Sequence, residues 1–184
     1  MKKILLVLFL CLSACMAQYD KAPTMKDYTQ VPLLELPVSR VSIISEATQS
    51  ERLPHVENQM QMTPEKALKN WALVRLRPDY KTRDKAEFII KQASMEREEA
   101  PTPSFFTYNN YKYNLNYTVV LRILNKEAEP VRTIEVSGFA SRELPQKASI
   151  EQRDNMFAHL LLDMEEQLDS KFPEEIKLNL LDLQ

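Results

Sequence analysis

The sequence predicts an α+β fold. It is a two-layer sandwich in which a four-stranded mixed sheet carries two helices on one face, in the order β-α-β-β-β-α. Three observations predict it. Between 111 and 123 the chain alternates, with Tyr111, Tyr113, Leu115, Tyr117, Val119, Leu121 and Ile123 on one side and Lys112, Asn114, Asn116, Thr118 and Arg122 on the other. That period of two belongs to a half-buried strand. Two further segments, 63–77 and 149–172, repeat apolar residues at steps of three and four, the period of an amphipathic helix. Shorter alternating runs flank them and supply the remaining strands.

The elements follow in chain order. Lys2 and Lys3 open the chain, and Ile4 to Leu12 is an unbroken apolar run. A helix needs roughly 20 such residues to span a bilayer, so this run fits the apolar region of a secretory signal peptide instead. Leu12-Ser13-Ala14-Cys15 follows, and it resembles the lipobox of bacterial lipoproteins. The resemblance implies cleavage between Ala14 and Cys15, acylation of Cys15 and anchoring in a membrane. It also implies removal of residues 1–14 and a mature chain without a free thiol, since Cys11 departs with the signal peptide. Several acyl chains at one end anchor stably where one would be marginal. Met16 occupies the position after the cysteine, where an Asp marks inner-membrane retention in enterobacterial lipoproteins, so the resemblance implies an outer-membrane address with the domain on the periplasmic side.

Residues 15–35 read as a lipidated N-terminus and flexible tether, without helical period and punctuated by Pro23 and Pro32. Twenty extended residues reach at most ~65 Å. A single globular domain is expected over 36–184. Its first strand covers 37–46, with Val41 and Ile43 facing one way. The first helix starts at Thr63 as N-cap, with Pro64 at the first helical position. Ala67, Leu68, Trp71, Ala72, Val74 and Leu76 form its apolar face, and Pro78 requires an end near Arg77. The second strand covers 85–95, with Ala86, Phe88 and Ile90 alternating with Glu87 and Lys91. After a proline-containing loop come the strand at 111–123 and a fourth at 131–142, where Ile134, Val136 and Ala140 oppose Thr133, Glu135 and Ser137. Gly138 inside that strand predicts a bulge or a close helix approach. Ser149-Ile150-Glu151-Gln152 is a capping box that opens the second helix. Phe157, Leu160, Leu161, Met164, Leu168 and Phe172 line it, and Pro173 is expected to end it. The tail beyond reads as a last short helix with Ile176, Leu180 and Leu183 on one side, and a strand is nearly as good a reading. A crossover through the first helix makes the first two strands parallel, and the remaining strands form an antiparallel meander. The helices then cover the apolar face and leave a polar face outward.

Composition limits function. The chain of 184 residues carries 24 Lys+Arg against 26 Asp+Glu, a formal charge of −2. Loss of Lys2 and Lys3 takes the mature chain to −4, with 22 Lys+Arg against 26 Asp+Glu. This lacks the basic excess of a nucleic-acid binder. One glycine excludes Gly-rich phosphate loops, and two Cys with two His leave no Cys/His zinc site, so no cofactor or metal is expected.

Pro54-His55-Val56-Glu57, Thr63 to Ala72 with Arg75-Leu76, and Ala148 to Asp154 are similar to an uncharacterised family of alphaproteobacterial lipoproteins. That resemblance covers most of the mature chain and implies no activity. In element order and size the chain also resembles the LPS-assembly lipoprotein of the outer membrane and the auxiliary lipoproteins of ABC-type lipid transporters. The tyrosine-rich strand, the Ser141-Arg142 pair and the late helix from Ser149 carry this likeness. It implies a role in envelope assembly or transport.

Candidate chemistry is sparse. His55 and Glu57 could form an acid–base pair, although a His in a polar loop is ordinarily solvated, and His159 sits between apolar helix positions. There is no G-x-S-x-G elbow and no H-E-x-x-H helix, so no catalytic residue is assigned and no enzyme is expected. Phe105, Phe106 and Tyr108 precede the tyrosine strand in a loop and are the candidate partner-binding residues. Three functions compete. The first is a non-enzymatic adaptor or accessory subunit that binds an outer-membrane barrel or transporter subunit. The second is a lipid- or LPS-binding auxiliary lipoprotein, and the third, least favoured, is an enzyme.

Overall fold

A computed structural model of the chain describes residues 21–24, 28, 31–100 and 109–180. Ala14, Cys15, Phe105, Phe106 and Tyr108 lie outside these residues. In chain order the elements are β1 (Leu34–Leu36), β2 (Arg40–Ser45), a 3-10 turn (Glu57–Gln59), α1 (Pro64–Arg75), β3 (Leu76–Pro78), β4 (Lys85–Glu99), β5 (Asn110–Leu124), β6 (Pro130–Pro145) and α2 (Ile150–Leu180). The main sheet has the order β2-β4-β5-β6. β2 runs parallel to β4, while β4-β5 and β5-β6 are antiparallel. This is the α+β arrangement of a four-stranded mixed sheet and two helices that the sequence predicts.

The helix starts form by local chemistry. Thr63 Oγ1 accepts from the Lys66 amide at 3.3 Å, and Pro64 fills the first helical position. At α2 the capping box closes in both directions: the Gln152 amide donates to Ser149 Oγ at 3.1 Å and the Ser149 amide donates to Gln152 Oε1 at 3.0 Å. Each such cap stabilises its helix by about 1 kcal/mol.

Between sheet and helices the core is filled by aromatic and aliphatic side chains. Trp71 of α1, Phe88 of β4 and Phe172 of α2 meet in one cluster, with ring centroids 5.3 to 5.9 Å apart. Tyr113 and Tyr117 of β5 are buried on the same face, and Tyr113 meets Phe157 of α2 edge-on at 5.5 Å. Tyr111 is half-buried against this core, with the Arg97 guanidinium 4.3 Å from its ring centre.

Several details depart from expectation. Pro173 does not end α2, which continues to Leu180. A proline inside a helix removes one backbone bond and costs about 3 kcal/mol. Here the continuing turn packs Ile176 against the core and lets Asn179 bond Glu175. That burial and bonding accompanies a helical tail, rather than a strand, through Leu180. Val74 does not belong to the buried face of α1: it is 37% exposed, and Arg75 is buried in its place. The chain then turns directly into β3, as Pro78 forces the residue before it to be extended. β3 pairs in parallel with β1, a three-residue ladder too short to leave a periodic trace. Leu34 and Tyr28, within the segment that reads as tether, are both packed against the core.

The outer face of the sheet is not wholly polar. Ile44, Ile89, Val120 and Glu135 stand in register across the four strands. Ile89 is 1% exposed and Val120 4%, although both point away from the helices. The Glu87–Arg122 ion pair borders this row on one side and the Thr118–Ser137 hydroxyl pair on the other. Among the described residues no helix is long and apolar enough to cross a membrane.

Candidate functional site

The sheet ends at β6, and α2 lies along that edge. Asp163 bonds Arg142, Gln167 Nε2 donates to the Phe139 carbonyl at 3.0 Å, and Lys171 Nζ donates to the Ser137 carbonyl at 2.9 Å. The partners descend in β6 as they ascend in α2, so the two elements run antiparallel. The Gln146 amide donates to the Asn109 carbonyl, which sets the alternation of the ladder. Even-numbered β6 residues bond β5, and the backbone groups of Ser137, Phe139 and Ser141 therefore face outward.

An open groove of about 450 Å³ lies between this edge and α2. Phe139, Ala140 and Ser141 form its strand side, and Asp163, Glu166, Gln167 and Ser170 its helix side. Those helix positions recur at steps of three and four, so they lie on one face of α2. Phe139 is 53% exposed. Arg142 reaches Asp163 Oδ2 from Nη2 at 2.7 Å and from Nε at 3.2 Å. The Ser141-Arg142 pair singled out in the sequence is thus split: Ser141 lines the groove and Arg142 binds its acidic wall.

Gly138 is what permits this approach. A Cβ there would overlap the ring and hydroxyl of Tyr117 and the side-chain oxygen of Gln167. Of the two roles expected for this glycine, the close helix approach is the one observed. Burial pushes the Tyr117 hydroxyl up to about 12.

A second polar cluster joins α1 to α2. Trp71 Nε1 and Arg75 Nε both donate to Asp169 Oδ1, at 2.9 and 2.7 Å. Tyr28 donates its hydroxyl to Glu165 Oε2 at 2.5 Å. Burial, then the bond to Glu165, holds the Tyr28 hydroxyl well above the usual tyrosine range. The periodic apolar pattern missed this cluster, because Arg75 reads as a helix-end charge until the partner helix is in place.

His55 and Glu57 do come together, with Nδ1 3.4 Å from Oε1. Glu57 is buried, and its Oε1 accepts from the Met95 amide at 2.8 Å. The Val56 amide donates to the Met95 carbonyl and the Arg97 amide to the Pro54 carbonyl. The pair therefore fastens the 54–57 loop to the free half of the β4 edge. His159 lies half-buried on α2. Among those residues no group of His, Cys, Asp and Glu is arranged to hold a metal ion.

No protein-family model and no curated protein sequence matches the chain. Solved structures similar to it include a minor lipoprotein from Acinetobacter baumannii, at 14% identity and TM-score 0.42, over 76% of this chain and 92% of that one. Rare lipoprotein B from Shewanella oneidensis aligns at 13% identity and TM-score 0.38, over 76% and 98%. An uncharacterised lipoprotein B from Nitrosomonas europaea aligns at 16% identity and TM-score 0.36, over 81% and 88%. All three bear lipoprotein names. At these scores the likeness is one of general arrangement.

Proposed function

We propose that the protein is a lipid-anchored envelope lipoprotein that acts as a non-enzymatic adaptor, on the periplasmic side of the outer membrane, for an assembly or transport protein. The anchor rests on the basic start, apolar run and Leu12-Ser13-Ala14-Cys15 sequence, and the outer-membrane address on Met16. The adaptor role rests on one observation: among the described residues the inner face of the sheet is filled by its own helices, while the groove between the β6 edge and α2 is open beside the exposed Phe139. A surface of main-chain acceptors, one aromatic ring and acidic side chains suits a protein partner. The Trp71, Phe88 and Phe172 cluster occupies the space where a lipid carrier would need its cavity.

The test is purification of the tagged full-length chain from its native membranes in mild detergent. The expected result is an acylated Cys15 by mass spectrometry and one envelope protein in stoichiometric amount. Cys15→Ser should release the chain from the membrane. Lipid or LPS in place of a protein would overturn the adaptor reading in favour of a carrier. An unmodified Cys15 would overturn the anchor.

A further inference from the structure

We infer that the groove between β6 and α2 takes an extended, positively charged segment of the partner protein, added as a fifth strand to the sheet; this rests on the adaptor reading above and names its surface. β6 is the last strand of the sheet, and the carbonyls of Ser137 and Phe139 point away from β5. Both are satisfied by side-chain N–H donors on α2, Lys171 and Gln167. Their acceptors lie two residues apart, the spacing at which an added strand presents its own amides. The two side chains thus stand where the main chain of an incoming strand would donate. Both bonds are exposed to solvent, so exchanging them for main-chain bonds leaves no buried group unsatisfied.

An added strand lies ~4.8 Å from β6, with alternate side chains facing α2. A groove of about 450 Å³ between strand edge and helix accommodates a few such residues.

Charge selects the occupant. Asp163 and Glu166 line the helix side, and Glu135 and Glu143 are exposed on β6 to either side. Arg142 neutralises Asp163, and Lys112 stands opposite Glu143 across the ladder, which leaves Glu135 and Glu166 against Lys171. An incoming Lys or Arg beside Glu166 gains attraction and replaces the charge of a displaced Lys171, whereas an acidic segment meets repulsion on both walls. Phe139 adds a ring against which an apolar or guanidinium side chain can pack.

The experiment places p-benzoylphenylalanine at position 139 of the full-length chain in its native envelope. Adducts are mapped by peptide mass spectrometry, with co-purification measured in parallel. The expected adduct joins position 139 to an extended, Lys- or Arg-bearing segment of the protein that co-purifies. Ser141→Pro removes an outward amide while sparing the bonds to β5, and a proline is tolerated on an edge of this kind. Glu166→Lys reverses the charge and leaves the backbone unchanged. Each should reduce the adduct by about tenfold or more, with circular dichroism unchanged. An undiminished adduct in both Ser141→Pro and Glu166→Lys overturns the strand-addition site. So does an adduct to an acidic segment, or to a second copy of this chain. If the partner co-purifies but position 139 traps nothing, the adaptor reading stands and this surface is wrong. If no partner co-purifies, both fall.

Discussion

Arg75 donates from Nε to Asp169 Oδ1 at 2.7 Å, and this bond joins the end of α1 to the middle of α2 beneath the surface. Arg75 is 3% exposed and Asp169 10%. Trp71 donates to the same carboxylate oxygen, so one acidic side chain orients both donors of α1. Among the described residues Arg75 Nη1 has no hydrogen-bond partner, which raises the cost of losing Asp169. Asp169→Ala should destabilise the fold by about 3 kcal/mol, because it leaves a buried guanidinium uncompensated. Asp169→Leu with Arg75→Met should recover most of that loss. Urea denaturation of the three chains checks both numbers, and a double variant no more stable than Asp169→Ala would show that the pair is not the origin.

Gly138 admits no side chain while Tyr117 and Gln167 remain where they are. Gly138→Ala should destabilise by about 1–3 kcal/mol, the usual cost of overpacking. Combining it with Tyr117→Phe and Gln167→Ala, which removes the hydroxyl and the side-chain amide but leaves the ring, should remove part of that cost. Thermal melts of the single and combined variants measure it, and additive losses would contradict the assignment.

Ala128 closes the β5–β6 hairpin at φ 66°, a left-handed conformation that costs a residue with a Cβ. The turn is otherwise well bonded: the Glu129 amide donates to Asn125 Oδ1 at 2.8 Å, and the Ala128 amide to the Asn125 carbonyl at 3.0 Å. Ala128→Gly should therefore stabilise the protein by up to about 1 kcal/mol, net of the entropy that glycine adds to the unfolded chain. An unchanged or lower denaturation midpoint would argue against strain at this turn.

Alkali should unfold the protein through its buried tyrosines. Burial holds the Tyr117 hydroxyl at about 12, and Tyr28 and Tyr113 are also raised, each by burial first. A group whose folded pKa lies above its unfolded value contributes stability that is complete below the unfolded pKa. That contribution is lost as pH rises through the folded one. Stability should therefore fall from about pH 10 toward pH 12 and beyond, the model-peptide value for tyrosine being ≈ 10. Tyr117→Phe should make the decline shallower. Denaturation midpoints across that range, with tyrosinate absorbance recorded in parallel, test this. Midpoints independent of pH would refute it.

Much of the fold was legible because it repeats. The alternation of 111–123 and the three- and four-residue steps of both helices are local records of which side faces the core. Thr63-Pro64 and Ser149-to-Gln152 marked both helix starts, because a cap needs only neighbours in the chain. The parallel pairing of β2 with β4 followed from the crossover between them. Ends were less legible. Pro173 carries a local penalty that the packing of Phe172 and Ile176 outweighs, and no local rule weighs a distant contact.

The candidate groove could not be read from the chain. The partner-binding residues expected from sequence, Phe105, Phe106 and Tyr108, lie outside the described residues, and the exposed ring beside the groove is Phe139. By alternation Phe139 is an unremarkable outward residue of β6. Its importance comes from the position of β6 at the sheet edge and from α2 lying beside it, with 28 residues separating Gln167 from Phe139. The Arg75–Asp169 bond joins positions 94 apart and the Tyr28–Glu165 bond positions 137 apart. By itself the sequence determined the types of the long elements and most of their facing, since each is written within a few neighbouring residues. Only the tertiary structure decided which charges are buried, where α2 meets the β6 edge and why position 138 must lack a side chain. Those outcomes depend on contacts between distant segments, and their energies exist only once the chain has closed upon itself.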